Sequence, residues 1–109
     1  MEFEFVETEI FTRRVLEILE DEEYSLLQAD LIRNPKSGDL IPGGKGLRKL
    51  RWSADGKGKR SGARVIYYLY LSERQIFMVY VFKKSDQVDL SRDQLRMLAE
   101  YLKRKGGVL

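Results

Sequence analysis

Hydrophobic residues recur at two spacings in the first part of this chain. Residues Glu2–Val6 alternate between polar and apolar side chains, which predicts a short, half-buried strand. After it, Phe11, Val15 and Ile18 recur at the spacing of one helix face, and Thr8 is a favourable N-cap for that helix. The chain therefore starts with a strand followed by a first helix.

A second helix is predicted directly after the first. Acidic residues starting at Asp21 suit its first turn, and Tyr24, Leu27 and Leu31 share one face. Pro35 ends it, because the residue before a proline avoids the helical region.

The middle of the chain alternates between loops and strands. Residues Lys36–Gly46 contain Pro42 and four glycines, which predicts an irregular loop. The predicted strands that follow are Leu47–Trp52, Ala63–Leu71 and Gln75–Lys84. The apolar run Ile76–Phe82 in the last of these predicts burial on both faces, as in the centre of a sheet.

A last helix is predicted from Ser91, because Gln94 three residues later completes a capping box. Gly106 and Gly107 end it. The element order β-α-α-β-β-β-α predicts an α+β fold with a mainly antiparallel, four-stranded twisted sheet. Two N-terminal helices pack on one face of that sheet, a short C-terminal helix follows, and residues 1–109 form a single domain.

Charge is distributed unevenly along the chain. Residues 1–40 hold 4 basic and 11 acidic residues, a net charge of −7, whereas residues 41–84 hold 11 basic and 2 acidic residues, a net charge of +9. The remaining residues add +1, for a total of +3. This asymmetry indicates one acidic and one basic surface. Cations on strands beside a glycine-rich loop favour a nucleic-acid partner, above all RNA.

Several classes of site are excluded by residue type. The chain contains no His and no Cys, so the usual zinc sites and the Ser–His or Cys–His nucleophile pairs are unavailable. The stretch GGKGLRKL is not a phosphate-binding P-loop, because Lys45 is followed by Gly46 rather than by Ser or Thr. No metal or other cofactor is expected. No apolar run is long enough to span a membrane, and the acidic start predicts a cytoplasmic protein.

The remaining candidate chemistry is a cationic group on the sheet. Alternation places Arg64 and Tyr68 on one face of their strand, and we expect that face to be an open concave surface. Lys49 and Arg51 on the neighbouring strand are predicted to converge there, and Lys83 or Lys84 would close the group. Such cations can stabilise a phosphorane transition state. Simple electrostatic binding of RNA or DNA without catalysis remains the alternative.

Aromatic and loop residues extend this predicted surface. Among the strand tyrosines, which more often serve in packing, Tyr68 is the candidate for contact with a base. The glycine-rich loop GKGKRSG carries Lys57, Lys59 and Arg60, which we interpret as a clamp for the nucleic-acid backbone rather than a merely soluble loop tip.

The segments GLRKLR, GKGKRSGARVIYY and VFKKSDQVDLS together resemble the RelE superfamily of bacterial toxins, and most of all its HigB branch. The resemblance covers about Glu2 to Leu102. It implies a toxin of a type II toxin–antitoxin system, a metal-independent endoribonuclease that cuts mRNA in the ribosomal A site, with contacts to 16S rRNA. It also implies inhibition by a cognate antitoxin with a helix-turn-helix domain.

The resemblance assigns roles to four cations. Lys49 and Arg51 match the strand cations that hold the substrate phosphate and assist proton transfer, and Arg64 matches the arginine that stabilises the transition state. Lys84, or Lys83 beside it, matches a basic residue near the leaving group. One difference from the family pattern leaves the general base unassigned, because Leu90 occupies the position at which relatives often carry an aromatic ring. Asp89, a lysine with a lowered pKa, or the ribosome are the alternatives.

Two other functions are also compatible with the sequence. One is a ParE-like toxin of the same fold that inhibits DNA gyrase, and the other is a non-catalytic RNA-binding module.

Overall fold

The computed structural model describes residues 2–52 and 62–106. These residues form a sheet with helices on both faces. The strands are β1 (Glu4–Glu7), β2 (Asp39–Leu40), β3 (Leu47–Trp52), β4 (Ala63–Tyr70) and β5 (Gln75–Lys83), and the helices are α1 (Glu9–Ile18), α2 (Asp21–Arg33) and α3 (Arg92–Gly106), with one 3-10 turn at Leu71–Glu73.

The strand order is β1-β5-β4-β3-β2, with β1 parallel to β5 and every other pair antiparallel. The predicted α+β class and the mainly antiparallel sheet are confirmed. The expected number of four strands was wrong, since Asp39 and Leu40 form a fifth strand within the stretch predicted to be an irregular loop. They pair with Lys49 and Arg48. A two-residue strand is too short to show alternation, so the sequence pattern could not reveal it.

The helices α1 and α2 cover the first face of the sheet, as predicted. The side chain of Thr8 accepts a hydrogen bond from the Phe11 N–H at 3.1 Å, which caps α1. Phe11 and Leu27 are fully buried, and they share one apolar cluster with Val65 and Tyr67 of β4. We call this side of the sheet the closed face.

The helix α3 covers part of the opposite face, which we call the site face. Its Ala99 and Leu102 pack in a second apolar cluster with Ile66 and Phe82. The predicted capping box is present, because the Gln94 N–H donates to Ser91 Oγ at 3.1 Å and the Ser91 N–H donates to Gln94 Oε1 at 3.0 Å. The helix has 15 residues, so the expectation of a short C-terminal helix was wrong.

A β-bulge in β5 sets which side chains reach each face. Ile66 pairs with Tyr80 and Tyr67 pairs with Met78, which leaves Val79 as one extra residue on β5. Val79 and Tyr80 consequently both belong to the cluster on the site face. Beyond the bulge the alternation is inverted relative to the start of the strand. The run Ile76–Phe82 is buried throughout, as its composition predicted.

Candidate active site

The pairing of β3 with β4 brings three predicted cations onto the site face. Arg51 lies directly opposite Arg64, and Lys49 lies opposite Ile66, two residues along each strand. Directly opposite residues share a face of the sheet, with Cβ atoms about 5 Å apart. Lys49, Arg51 and Arg64 therefore form one cationic cluster, as the alternation predicted.

Arg64 is the deepest member of this cluster. Only 5% of its surface is exposed, so the expectation that it stands on an open surface was wrong. The reason is its place on β4, the middle strand, where Arg51 of β3 and Phe82 of β5 flank it. Burial lowers the pKa of the guanidinium, the charge of Arg51 lowers it further, and the charge of Asp89 opposes both.

Arg64 also has no carboxylate partner at ion-pair distance within residues 2–52 and 62–106. Its one protein hydrogen bond in that part of the chain is a long one, from Nη1 to the Ala63 carbonyl oxygen at 3.5 Å. A buried guanidinium without a counter-ion is costly, and it gains strongly from an anion that can accept two parallel hydrogen bonds. The cluster is thus suited to holding a phosphate group.

Lys49 makes the closest charged contact in the cluster. Its Nζ lies 3.0 Å from both Oδ1 and Oδ2 of Asp89, which lies three residues before the start of α3. The Leu90 N–H donates to Asp89 Oδ1 at 2.8 Å. Partial burial on its own raises the pKa of Asp89, but these hydrogen bonds and the charges of Lys49 and Arg64 hold the pKa below its ordinary value. Asp89 is therefore a carboxylate at neutral pH.

Gln87 positions the segment that carries Asp89. Its Nε2 donates to the Asp89 carbonyl oxygen at 3.0 Å and to Gln94 Oε1 at 3.2 Å, which ties the segment to the first turn of α3. Sequence reasoning missed Gln87. The only available signal was its place between the cations at the end of β5 and the capping box of α3, and that signal does not specify a hydrogen bond.

The two lysines at the end of β5 differ in position. Lys83 pairs with Ala63, a residue of the closed face, so Lys83 lies on the opposite face from Arg64. The bulge at Val79 is the physical reason, because it inverts the alternation for the rest of the strand. Lys84 is the next residue after the strand, exposed, with its backbone N–H donating to the Gly62 carbonyl oxygen at 3.3 Å. If the alternation of β5 is continued by one residue, Lys84 lies on the same side of the sheet as Phe82 and Arg64.

Tyr68 lies further along the site face. It pairs with Leu47 and is half-buried in the second apolar cluster. Its ring covers Gly46, where a Cβ atom would lie 2.7 Å from Tyr68 Cε1. Gly46 also has a φ of 100°, so both the close approach of the ring and the backbone conformation require glycine. Packing thus explains much of the position of Tyr68, and its proposed contact with a base stays a prediction.

The predicted clamp residues Lys57, Lys59 and Arg60 lie outside the described residues. Within the described part of the chain, no group of three or more Asp or Glu side chains is arranged to hold a metal ion. No helix among the described residues is both long and apolar enough to cross a membrane.

Comparison with known proteins places this arrangement in a family. The family model described as "RelE toxin of RelE / RelB toxin-antitoxin system" matches residues 8–106. Among solved structures, the chain is similar to a double mutant of the E. coli toxin RelE in the free state, with 15% sequence identity and a TM-score of 0.60. That similarity covers 96% of this chain and 99% of the other, and it shows a shared fold. Neither comparison supports the HigB branch specifically. Because the family model spans nearly the whole chain, this protein belongs to the RelE family of toxins of toxin–antitoxin systems.

Proposed function

We propose that this toxin is a ribosome-dependent endoribonuclease that cuts mRNA in the ribosomal A site and so inhibits translation. The observation that carries the proposal is the buried guanidinium of Arg64, which shares one face with Lys49 and Arg51 and lacks a carboxylate at ion-pair distance among the described residues. A phosphodiester placed there would supply the missing anion. Membership of the RelE toxin family supports the same activity.

The proposed chemistry is attack by an RNA 2′-hydroxyl on the adjacent 3′-phosphate. The bond from the phosphorus atom to the 5′-oxygen breaks, leaving a 2′,3′-cyclic phosphate. Arg64 would stabilise the additional negative charge of the transition state, and Lys49 and Arg51 would hold the phosphate oxygens. Lys84 would donate a proton to the departing 5′-oxygen. The ribosome would supply the in-line geometry, since positioning accounts for much of the rate in such reactions.

The remaining predicted residues would bind substrate around this centre. Tyr68 would contact a base, and Lys57, Lys59, Arg60 and Lys83 would contact the backbone electrostatically. Lys83 would do so from the opposite face of the sheet, and therefore at a different phosphate from the one that Arg64 holds. We further propose a single toxin domain acting in the cytoplasm without a cofactor, bound by a cognate antitoxin with a helix-turn-helix domain.

Replacing Arg64 tests the proposal. Arg64→Ala is expected to reduce mRNA cleavage on programmed ribosomes by at least about 10²-fold and to relieve growth arrest, because it removes the main donor to the transition state. Arg64→Lys keeps the charge but not the planar fork, so it is expected to restore only part of the rate. Arg13→Ala, an exposed cation on α1, is the matched control, and circular dichroism checks that each variant is folded.

Transcript mapping after induction separates the alternatives. Cleavage at codons in the A site supports the nuclease. Intact transcripts together with DNA-damage signalling would instead favour a ParE-like gyrase inhibitor, and harmless overexpression would favour a simple RNA-binding module. Full toxicity of the Arg64→Ala protein would refute the proposed role of the cationic cluster.

A further inference from the structure

The cationic cluster is rich in hydrogen-bond donors and poor in acceptors. Lys49, Arg51 and Arg64 offer only N–H groups, whereas activation of a 2′-hydroxyl requires a group that can take its proton. Asp89 is the one described carboxylate that contacts this cluster. We propose that Asp89 is the catalytic base of the reaction, an inference that rests on the proposed nuclease function.

The contacts of Asp89 indicate which of its two carboxylate oxygens accepts the proton. Oδ1 accepts hydrogen bonds from Lys49 Nζ and from the Leu90 N–H, so both of its lone-pair positions are used. Among residues 2–52 and 62–106, Oδ2 accepts only from Lys49 Nζ, which leaves one position for a substrate hydroxyl. The Asp89 side chain is 54% exposed, so a ribose can reach it. Oδ2 is therefore the proton acceptor.

The contact with Lys49 keeps Asp89 ready for this role. Lys49 as an ammonium and Leu90 through its N–H stabilise the carboxylate, and the charge of Arg64 contributes as well. Gln87 holds the backbone of the same residue. The base is thus deprotonated and oriented before substrate arrives.

Each cleavage transfers one proton to Asp89 and one proton from the site to the departing oxygen. The 2′-hydroxyl proton passes to Asp89 Oδ2 while the 2′-oxygen forms its bond to phosphorus. The bond from phosphorus to the 5′-oxygen breaks with its electron pair, and the departing oxygen takes a proton from an ammonium group of the site, for which Lys84 is the proposed donor. Asp89 then releases its proton to water and Lys84 recovers one, so the enzyme returns to its initial state.

The same geometry gives Asp89 opposite effects on binding and on catalysis. In the free protein its carboxylate occupies the position facing Lys49, where a substrate phosphate would also bind, and the two negative charges repel each other. Removing the charge should therefore strengthen RNA binding and slow cleavage. A residue that merely anchored Lys49 would weaken both when replaced.

Asp89→Asn tests this inference, because the amide oxygen can still accept from Leu90. We expect single-turnover cleavage on programmed ribosomes to fall about 10²- to 10⁴-fold. Binding of ribosomes programmed with a non-cleavable 2′-O-methyl mRNA should tighten. Asp86→Asn, in the same segment, is the matched control, and Asp89→Glu is expected to recover part of the rate.

The pH profile provides a second readout. The rate of wild-type cleavage should fall only at pH values below the ordinary pKa range of a carboxyl group, since Lys49 and Arg64 face Asp89 and favour its ionised form. Cleavage by Asp89→Asn should increase about tenfold per pH unit, because hydroxide then replaces the side chain. Wild-type rates in Asp89→Asn would overturn the inference, as would equal losses of binding and cleavage. Absence of cleavage by the wild-type protein would instead refute the nuclease function itself.

Discussion

The two faces of the sheet differ in how their polar groups are satisfied. On the closed face, the buried Tyr67 hydroxyl accepts from the Gly38 N–H and donates to the Pro35 carbonyl oxygen, both at 2.8 Å. On the site face, Arg64 is also buried but has no carboxylate partner at ion-pair distance among the described residues. The closed face contributes stability, whereas the site face keeps a buried guanidinium that an anionic ligand would stabilise.

This difference arises from simple alternation. In β4, Val65 and Tyr67 point under α1 and α2, while Arg64 and Ile66, the alternate residues, point to the other side. The strand β4 therefore contributes both to the core under the helices and to the site, so the Arg64 guanidinium is carried by a rigid strand rather than by a loop. A substitution on the closed face should mainly change stability, and one on the site face should mainly change activity.

The largest stability effect is expected for Phe11→Ala. Phe11 is fully buried on the closed face, with its ring centroid 5.8 Å from that of Tyr24. The loss of transfer free energy together with the cavity left behind should lower the free energy of unfolding by about 3–5 kcal/mol, measured by urea denaturation. Arg51→Ala, an exposed residue of the site face, should change it by less than about 1 kcal/mol. Equal losses in the two variants would refute the division between the faces.

A smaller effect is expected for Tyr67→Phe. This change leaves the ring in place and removes a hydroxyl that bridges Gly38 and Pro35, so the buried Gly38 N–H loses its partner. The free energy of unfolding should fall by about 1–3 kcal/mol. The half-buried Tyr70 provides the control, and Tyr70→Phe should have a smaller effect. A neutral Tyr67→Phe would mean that water or a shift of the loop satisfies both groups.

The smallest stability effect is expected at the ion pair between Lys49 and Asp89 on the site face. Because the folded-state pKa of Asp89 is lowered, its contribution is fully present above the unfolded carboxyl pKa of about 3.9 and is lost as the pH falls through the lower folded-state pKa. The side chain is more than half exposed and solvent screens the pair, so the contribution should stay below about 1 kcal/mol. Thermal melting of wild type and Asp89→Asn from pH 7 to pH 2 measures it. A difference that grows on acidification would contradict the assigned shift.

Much of the fold was readable from the sequence where a period repeats. The strand predicted at Leu47–Trp52 matches β3, with side chains alternating between its two sides, and the capping box placed the start of α3 just after Ser91. The same alternation predicted that Lys49, Arg51 and Arg64 lie on one side of the sheet, once β3 and β4 were taken as neighbouring strands. Local patterns of this kind carry their information in adjacent residues.

Features that depend on distant parts of the chain were not readable. The burial of Arg64 follows from the position of β4 in the middle of the sheet, and the position of Lys83 follows from one extra residue at Val79. The contact between Lys49 and Asp89 joins residues 40 positions apart. None of these leaves a periodic signal, because a bulge or an ion pair is set by tertiary packing rather than by local preference.

The parallel pairing of β1 with β5 has a consequence for synthesis of the toxin. Glu4 of β1 and Gln75 of β5 are 71 positions apart, so β1 cannot pair with β5 until most of the chain has been synthesised. Closing so long a loop is entropically costly, and such contacts form late. A nascent chain therefore lacks both the finished sheet and, until Asp89 is added, the contact with Lys49. The site that would carry the proposed function is therefore complete only after most of the chain has been synthesised.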